Sequence, residues 1–109
     1  MLIFELLSYP EIKIKFEYSE LDKAPKQSGC YVITTPNGTI LYIGETGNIR
    51  NRMEQHLDGK EKTKLTPSGM PYWFYYKLCS VREKIPLEDA WINEYKLNSK
   101  GKRPYFNKK

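Results

Sequence analysis

A few side chains in this sequence are of types that do chemistry, yet fall within stretches that otherwise read as apolar. They are Tyr31, Tyr42, Arg52, His56 and one glutamate, either Glu88 or Glu94. A guanidinium is a permanently charged planar fork suited to oxyanions. A carboxylate can help hold a hard divalent cation, and imidazole and phenol groups orient or carry protons. Singly, each has an ordinary explanation. Strand tyrosines usually pack with the hydroxyl at the surface, and a helical Arg is usually solvated or ion-paired. A His near an apolar face is usually a hydrogen-bonded structural residue, and a Glu early in a helix favours the helix dipole.

The elements that must position these groups can be read from pattern. Ile12, Ile14, Phe16 and Tyr18 alternate with Lys13, Lys15 and Glu17, the period of a half-buried strand, and residues 22–28, with Pro25, read as a linker. Cys30–Thr35 and Ile40–Ile43 are rich in β-branched and aromatic residues and flank Asn37-Gly38, a strong hairpin signal. Asn48 is a good N-cap for a helix over about Ile49–Leu57, whose apolar line is Ile49, Met53 and Leu57. Arg52 and His56 fall beside that line and not opposite it. Residues 58–70 read as a surface loop or short helix, and 72–81 as an aromatic strand. A second helix over about Leu87–Asn98, with Pro86 in its first turn, would bury Leu87, Ala90, Trp91, Tyr95 and Leu97. Glu88 and Glu94 both fall within or at the edge of that arc, so periodicity does not choose between them.

The chain has 109 residues, enough for one domain with a modest core. With one His and two Cys far apart in sequence, a four-ligand zinc site or a CxxC motif is excluded, and Cys30 and Cys79 read as reduced thiols. The start of the chain has no basic region before an apolar run, and no stretch is long enough to cross a bilayer, so a cytoplasmic protein is expected, nucleoid-associated if bacterial. The net charge is +5, but residues 1–22 hold five acids and two lysines. The positive charge therefore lies on the later part, which any polyanion should meet.

Taken in order, the pattern is Gly29-Cys30-Tyr31, ten residues, Tyr42-Ile43-Gly44, then Thr46, Asn48-Ile49, Arg52 and His56. Glu88 follows, three residues before Trp91-Ile92, and the pattern closes on Pro104-Tyr-Phe-Asn107. This resembles the GIY-YIG nuclease family, with Cys30 at the middle position of the first triplet. The resemblance spans about residues 28–107, leaving 1–27 as an N-terminal extension of a single domain. It implies an α+β fold, a short antiparallel sheet of about three strands flanked by helices, and the alternating residues above would add an N-terminal strand.

It also implies a function. The expected activity is metal-dependent DNA endonuclease cleavage of phosphodiester bonds, structure-selective or in repair, recombination or mobile-element processing. Glu88 becomes the metal ligand for Mg²⁺ or Mn²⁺, and Glu94 a flanking or ion-pairing residue. Arg52 would bind the scissile phosphate, Tyr42 or Tyr31 would lie at the attacking water, and His56 would position Tyr42 or relay its proton. Asn107 would fix backbone or phosphate geometry. Lys60, Lys62, Lys64, Lys100, Lys102 and Arg103 would be backbone-contacting cations that carry no sequence information. A chain of this length leaves no room for a separate recognition domain, so target choice would come from DNA structure, a protein partner or a homo-oligomer. The competing reading is a catalytically silent nucleic-acid-binding or protein-interaction module on the same scaffold.

Overall fold

The computed structural model describes residues 1–107. Its centre is the hairpin that Asn37-Gly38 signals. Strands β2 (Gly29–Thr34) and β3 (Ile40–Thr46) pair antiparallel, with Tyr31 opposite Gly44 and Ile33 opposite Tyr42. Gly38 takes φ +93° in the turn, and the Thr35 and Thr39 backbones close it with a 3.0 Å hydrogen bond. Two further strands complete the sheet: β1 (Ile12–Lys15) and β4 (Trp73–Leu78), in the antiparallel order β1-β4-β2-β3. The N-terminal strand therefore extends the far edge, pairing Ile14 with Phe74.

Every residue of β2 is buried, so its side chains alternate between two cores. Tyr31 and Ile33 join Phe74 and Tyr76 on one face, under Ile49, Met53 and Leu57 of helix α1 (Ile49–Gly59). Cys30 and Val32 join Ile43 and Tyr75 on the other, under Trp91 of helix α2 (Val81–Asn98). Ile3 and Leu6 fill the same second core, so the N-terminal segment acts as a brace for α2. Glu94 Oε1 accepts from the Leu7 backbone N–H at 2.8 Å, and Trp91 Nε1 donates to the Ser8 carbonyl at 3.2 Å. Of the flanking and ion-pairing roles expected for Glu94, the geometry displays a flanking one, as a backbone acceptor.

The boundaries correct three expectations. Helix α2 begins at Val81, not Leu87, because Ser80 and Glu83 form a reciprocal capping box: Ser80 Oγ accepts from Glu83 N and Glu83 Oε1 accepts from Ser80 N. Pro86 consequently lies inside the helix, where it deletes one backbone bond at a typical cost of ~3 kcal/mol, offset by the cap and by fully buried Trp91. Strand β4 spans 73–78 where 72–81 was expected, since Ser80 is recruited as that cap. Finally, Ala90 and Leu97 are exposed. The ridge that packs is Leu87, Trp91 and Tyr95 at i, i+4 spacing.

The two cysteines meet, with their sulfurs 4.0 Å apart and both free. Cys30 donates to the Lys84 carbonyl at 3.0 Å, tying β2 to α2 one turn before Glu88. Burial pushes the Cys30 thiol far above its usual value, so it behaves as a small apolar core residue.

Candidate active site

The site grows from two glycines that leave room a side chain would fill, one for aromatic rings and one for neighbouring backbone. A Cβ on Gly44 would lie 2.6 Å from the Tyr31 hydroxyl and 2.8 Å from the Tyr42 ring. Gly44 therefore allows the two tyrosines to meet over β3, ring centroids 5.9 Å apart. A Cβ on Gly29 would lie 2.5 Å from the Lys77 carbonyl, so Gly29 lets β2 and β4 approach. Tyr31 is then locked: it has no solvent exposure and stacks on Phe74 at 5.1 Å and 14°.

Helix α1 brings the other groups to this face. Thr46 Oγ1 accepts from Asn48 N, and Asn48 caps the helix by accepting from Asn51 N at 3.0 Å. With the start of the helix set, the line Ile49, Met53 and Leu57 goes down on the sheet, and Arg52 and His56 fall at its margin, both partly buried. His56 Nε2 is 2.7 Å from the Tyr31 hydroxyl. Its ring packs edge-on to Tyr42 at 5.3 Å, so the hydrogen bond goes to Tyr31 where Tyr42 was the expected partner.

Electrostatics separates these groups. Burial, with the positive charges of Lys62 and Arg52, pushes His56 down to about 4, so the ring is neutral at pH 7. Burial raises Tyr31 well above the ordinary phenol value, with Arg52 opposing. Tyr42 is also raised by burial, but less enclosed; Glu88 and Glu45 push it further up, while Tyr31 and Arg52 pull it down. The Glu88 charge thus reaches Tyr42 although Glu88 stands on the opposite helix layer.

Glu88 is half-buried, and desolvation, Glu45 and Asp89 raise its carboxyl above the usual range. Among the described residues it accepts no hydrogen bond and forms no ion pair. No group of three or more His, Cys, Asp or Glu that could hold a metal occurs among the described residues. A half-buried carboxylate with unused acceptor capacity fits a Mg²⁺-type ion, which often takes only one or two protein carboxylates and keeps several waters.

Sequence reasoning missed Glu45 and Lys84. Their side chains pair at 2.5 Å beside Glu88. Lys84 lies i−4 from Glu88, in a first stretch of α2 that a helix beginning at Leu87 does not contain.

The expected cations divide. Lys62 lies 4.8 Å over the Tyr42 ring. Lys62, Lys64 and Arg103 line a cleft of about 560 Å³ that opens beside Tyr42. Lys60 and Lys100 instead take left-handed backbone beyond the ends of α1 and α2, and Lys102 lines a neighbouring depression. Asn107 closes the arrangement: its amide donates to the Ile43 carbonyl and accepts from Ile43 N, both at 2.8 Å. Of its two expected roles, the backbone one is what the geometry displays. Because β3 is an edge strand, this clamp satisfies polar groups that the sheet leaves open.

The family model of the GIY-YIG catalytic domain matches residues 27–102 of this chain. The chain belongs to that family. Its class is therefore that of a GIY-YIG endonuclease domain, as the ordered motif implied. Among curated relatives, the UvrABC system protein C of Mycoplasma genitalium is 34% identical over 90 residues, 81% of this chain and 14% of the relative. The protein of the same name from Streptococcus agalactiae is 32% identical over 92 residues, 79% of this chain and 16% of the relative. The chain thus spans about a seventh of the length of these relatives. The fold matches the GIY-YIG N-terminal endonuclease domain of UvrC from Thermotoga maritima, solved as a point mutant bound to its catalytic divalent cation. That match has a TM-score of 0.58 at 20% identity and covers 84% of this chain and 93% of the other. Among the described residues, no helix is long and apolar enough to cross a membrane.

Proposed function

We propose that this GIY-YIG domain is a metal-dependent DNA endonuclease that hydrolyses phosphodiester bonds at the junction of Tyr42, Arg52 and Glu88. The observation that carries the reading is the asymmetry of the two tyrosines. Tyr31 is sealed and committed to His56, whereas Tyr42 remains partly exposed at the mouth of a basic cleft.

Hydrolysis needs an oriented water, neutralisation of charge on the phosphoryl oxygens, and help for the departing oxygen. Arg52 forks the non-bridging oxygens of the phosphate. Tyr42 orients the attacking water, and the positive charge of Arg52 pulls the phenol's pKa down, favouring the phenolate that can accept the water's proton. Tyr31 and neutral His56 hold Tyr42 from behind through ring packing. Glu88 would hold the divalent ion, Mg²⁺ or Mn²⁺, which when bound supplies Lewis-acid stabilisation of the phosphate. Glu45 and Lys84 set the charge around Glu88: the carboxylate raises its pKa and the ammonium lowers it.

Lys62, Lys64 and Arg103 supply phosphate contacts on the approach to Tyr42, and such contacts make binding strongly salt dependent. The relatives are named for the UvrABC system, which supports a role in DNA repair. The test incubates the protein with supercoiled plasmid and with flapped or branched duplexes, with Mg²⁺, Mn²⁺ or EDTA. Metal-dependent nicking that Arg52→Ala and Glu88→Ala abolish is the expected result. Nicking that survives both substitutions overturns the assignment, and no nicking under any condition favours the silent binding module.

A further inference from the structure

The cleft beside Tyr42 has more in it than cations. Tyr105 and Leu65, 53% and 71% exposed, stand on its walls together with Lys62, Lys64 and Arg103. A surface that merely tracks a phosphate backbone needs positive charge and no wet aromatic or aliphatic side chains. A ring presented to solvent within a positive recess is the combination that takes a nucleobase by its π-face while cations hold the attached phosphates. Resting on the nuclease reading for its orientation, we infer that this cleft receives one unpaired nucleotide next to the phosphate at Tyr42. The base stacks on Tyr105, so the domain favours single-stranded or splayed DNA over continuous duplex.

Three features support the inference. At about 560 Å³ the cleft falls in the size range of small-ligand sites and has room for a nucleotide. Its wall is also built in advance. Phe106 N donates to the Leu41 carbonyl at 2.8 Å, and the Asn107 amide grips Ile43, so the segment carrying Tyr105 is fastened to the strand that carries Tyr42. Tyr105 is held in turn against the Phe106 ring, edge to face at 5.2 Å. A wall fixed before binding saves ordering entropy. Finally, Lys62 lies over Tyr42 at the boundary between site and cleft. That places a cation where a phosphate leading from one to the other must pass. In a duplex each base is paired and stacked, so entry requires extrusion, which costs least where the strand is already unpaired.

The test measures binding by fluorescence anisotropy in EDTA, using a short labelled single strand and the matching duplex. Tyr105→Ala is expected to weaken single-strand binding about tenfold, the usual order for one lost base stack, with duplex binding unchanged. Tyr105→Phe keeps the ring and retains the affinity, and circular dichroism confirms that each variant is folded. Equal losses on both ligands, no loss on the single strand, or a Tyr105→Phe as weak as Tyr105→Ala each overturn the base pocket. Because no cleavage is involved, the two readings fail separately. A chain that never nicks but shows this discrimination loses the nuclease mechanism and keeps the pocket. One that nicks while Tyr105→Ala binds single strands like wild type loses the pocket alone.

Discussion

The two faces of the sheet carry their polar groups in opposite ways. Under α1, Tyr31, Tyr42 and His56 are held by rings, a stack on Phe74 and one 2.7 Å hydrogen bond, inside an otherwise apolar core. Under α2, Glu88, Glu45 and Lys84 stand at the rim, where a single ion pair and competing carboxylates govern them. One face fixes position by packing, and the other offers charge with capacity left unused. A site that must orient a water and also admit a cation needs both, and edge strand β3 is where the two faces meet, carrying Tyr42 to one and Glu45 to the other.

That contrast can be broken at either face. The largest effect is expected from Arg52→Ala or Glu88→Ala, each lowering the cleavage rate by about a thousandfold, or ~4 kcal/mol in the barrier, with little change in thermal midpoint. Loss of folding in either variant would mean the charge is structural after all. Tyr42→Phe is expected to cost about a hundredfold in rate, and Tyr31→Phe about tenfold, since in the proposed mechanism Tyr42 meets the water and Tyr31 acts through it. A reversed order in single-turnover cleavage would transfer the role to Tyr31.

Gly44→Ala tests the packing side alone. Its new methyl meets the immobilised Tyr31 ring, so denaturant unfolding should show a loss of about 2–3 kcal/mol, while Gly47→Ala, with nothing within 4 Å, should cost far less.

A further effect concerns acid. The folded-state pKa of His56, about 4, lies below its unfolded value near 6.5. The unfolded chain therefore binds the extra proton first, and stability falls as pH drops from about 6.5 towards 4. After allowance for partial exposure, the loss is roughly 2 kcal/mol. Thermal melts across that range should show His56→Gln losing less than wild type. Equal acid sensitivity would assign the effect to other groups.

Legibility differed from element to element for physical reasons. The hairpin and α1 were readable because Asn37-Gly38 and Asn48 are local instructions, satisfied by backbone groups a few residues away. The start of α2 was misread because two local signals conflict. Pro86 marks a helix start, and so does the Ser80–Glu83 capping box six residues earlier; the latter wins because it satisfies two backbone donors at once. Ala90 and Leu97 were misplaced because an arc of helix says which residues lie together but not which i, i+4 ridge meets the sheet.

The sequence by itself determined the chemical inventory. Residue types in a fixed order named the family, both tyrosines, Arg52, His56 and Glu88, and with them the class of reaction. Only the tertiary structure decided how those groups divide. Burial is a property of the whole packing, so which tyrosine is sealed, that His56 turns to Tyr31, and that Asn107 grips Ile43 across 64 residues of chain were not written in local spacing. The same holds for the base-sized cleft, whose walls come from the loop after α1 and from the segment that follows α2.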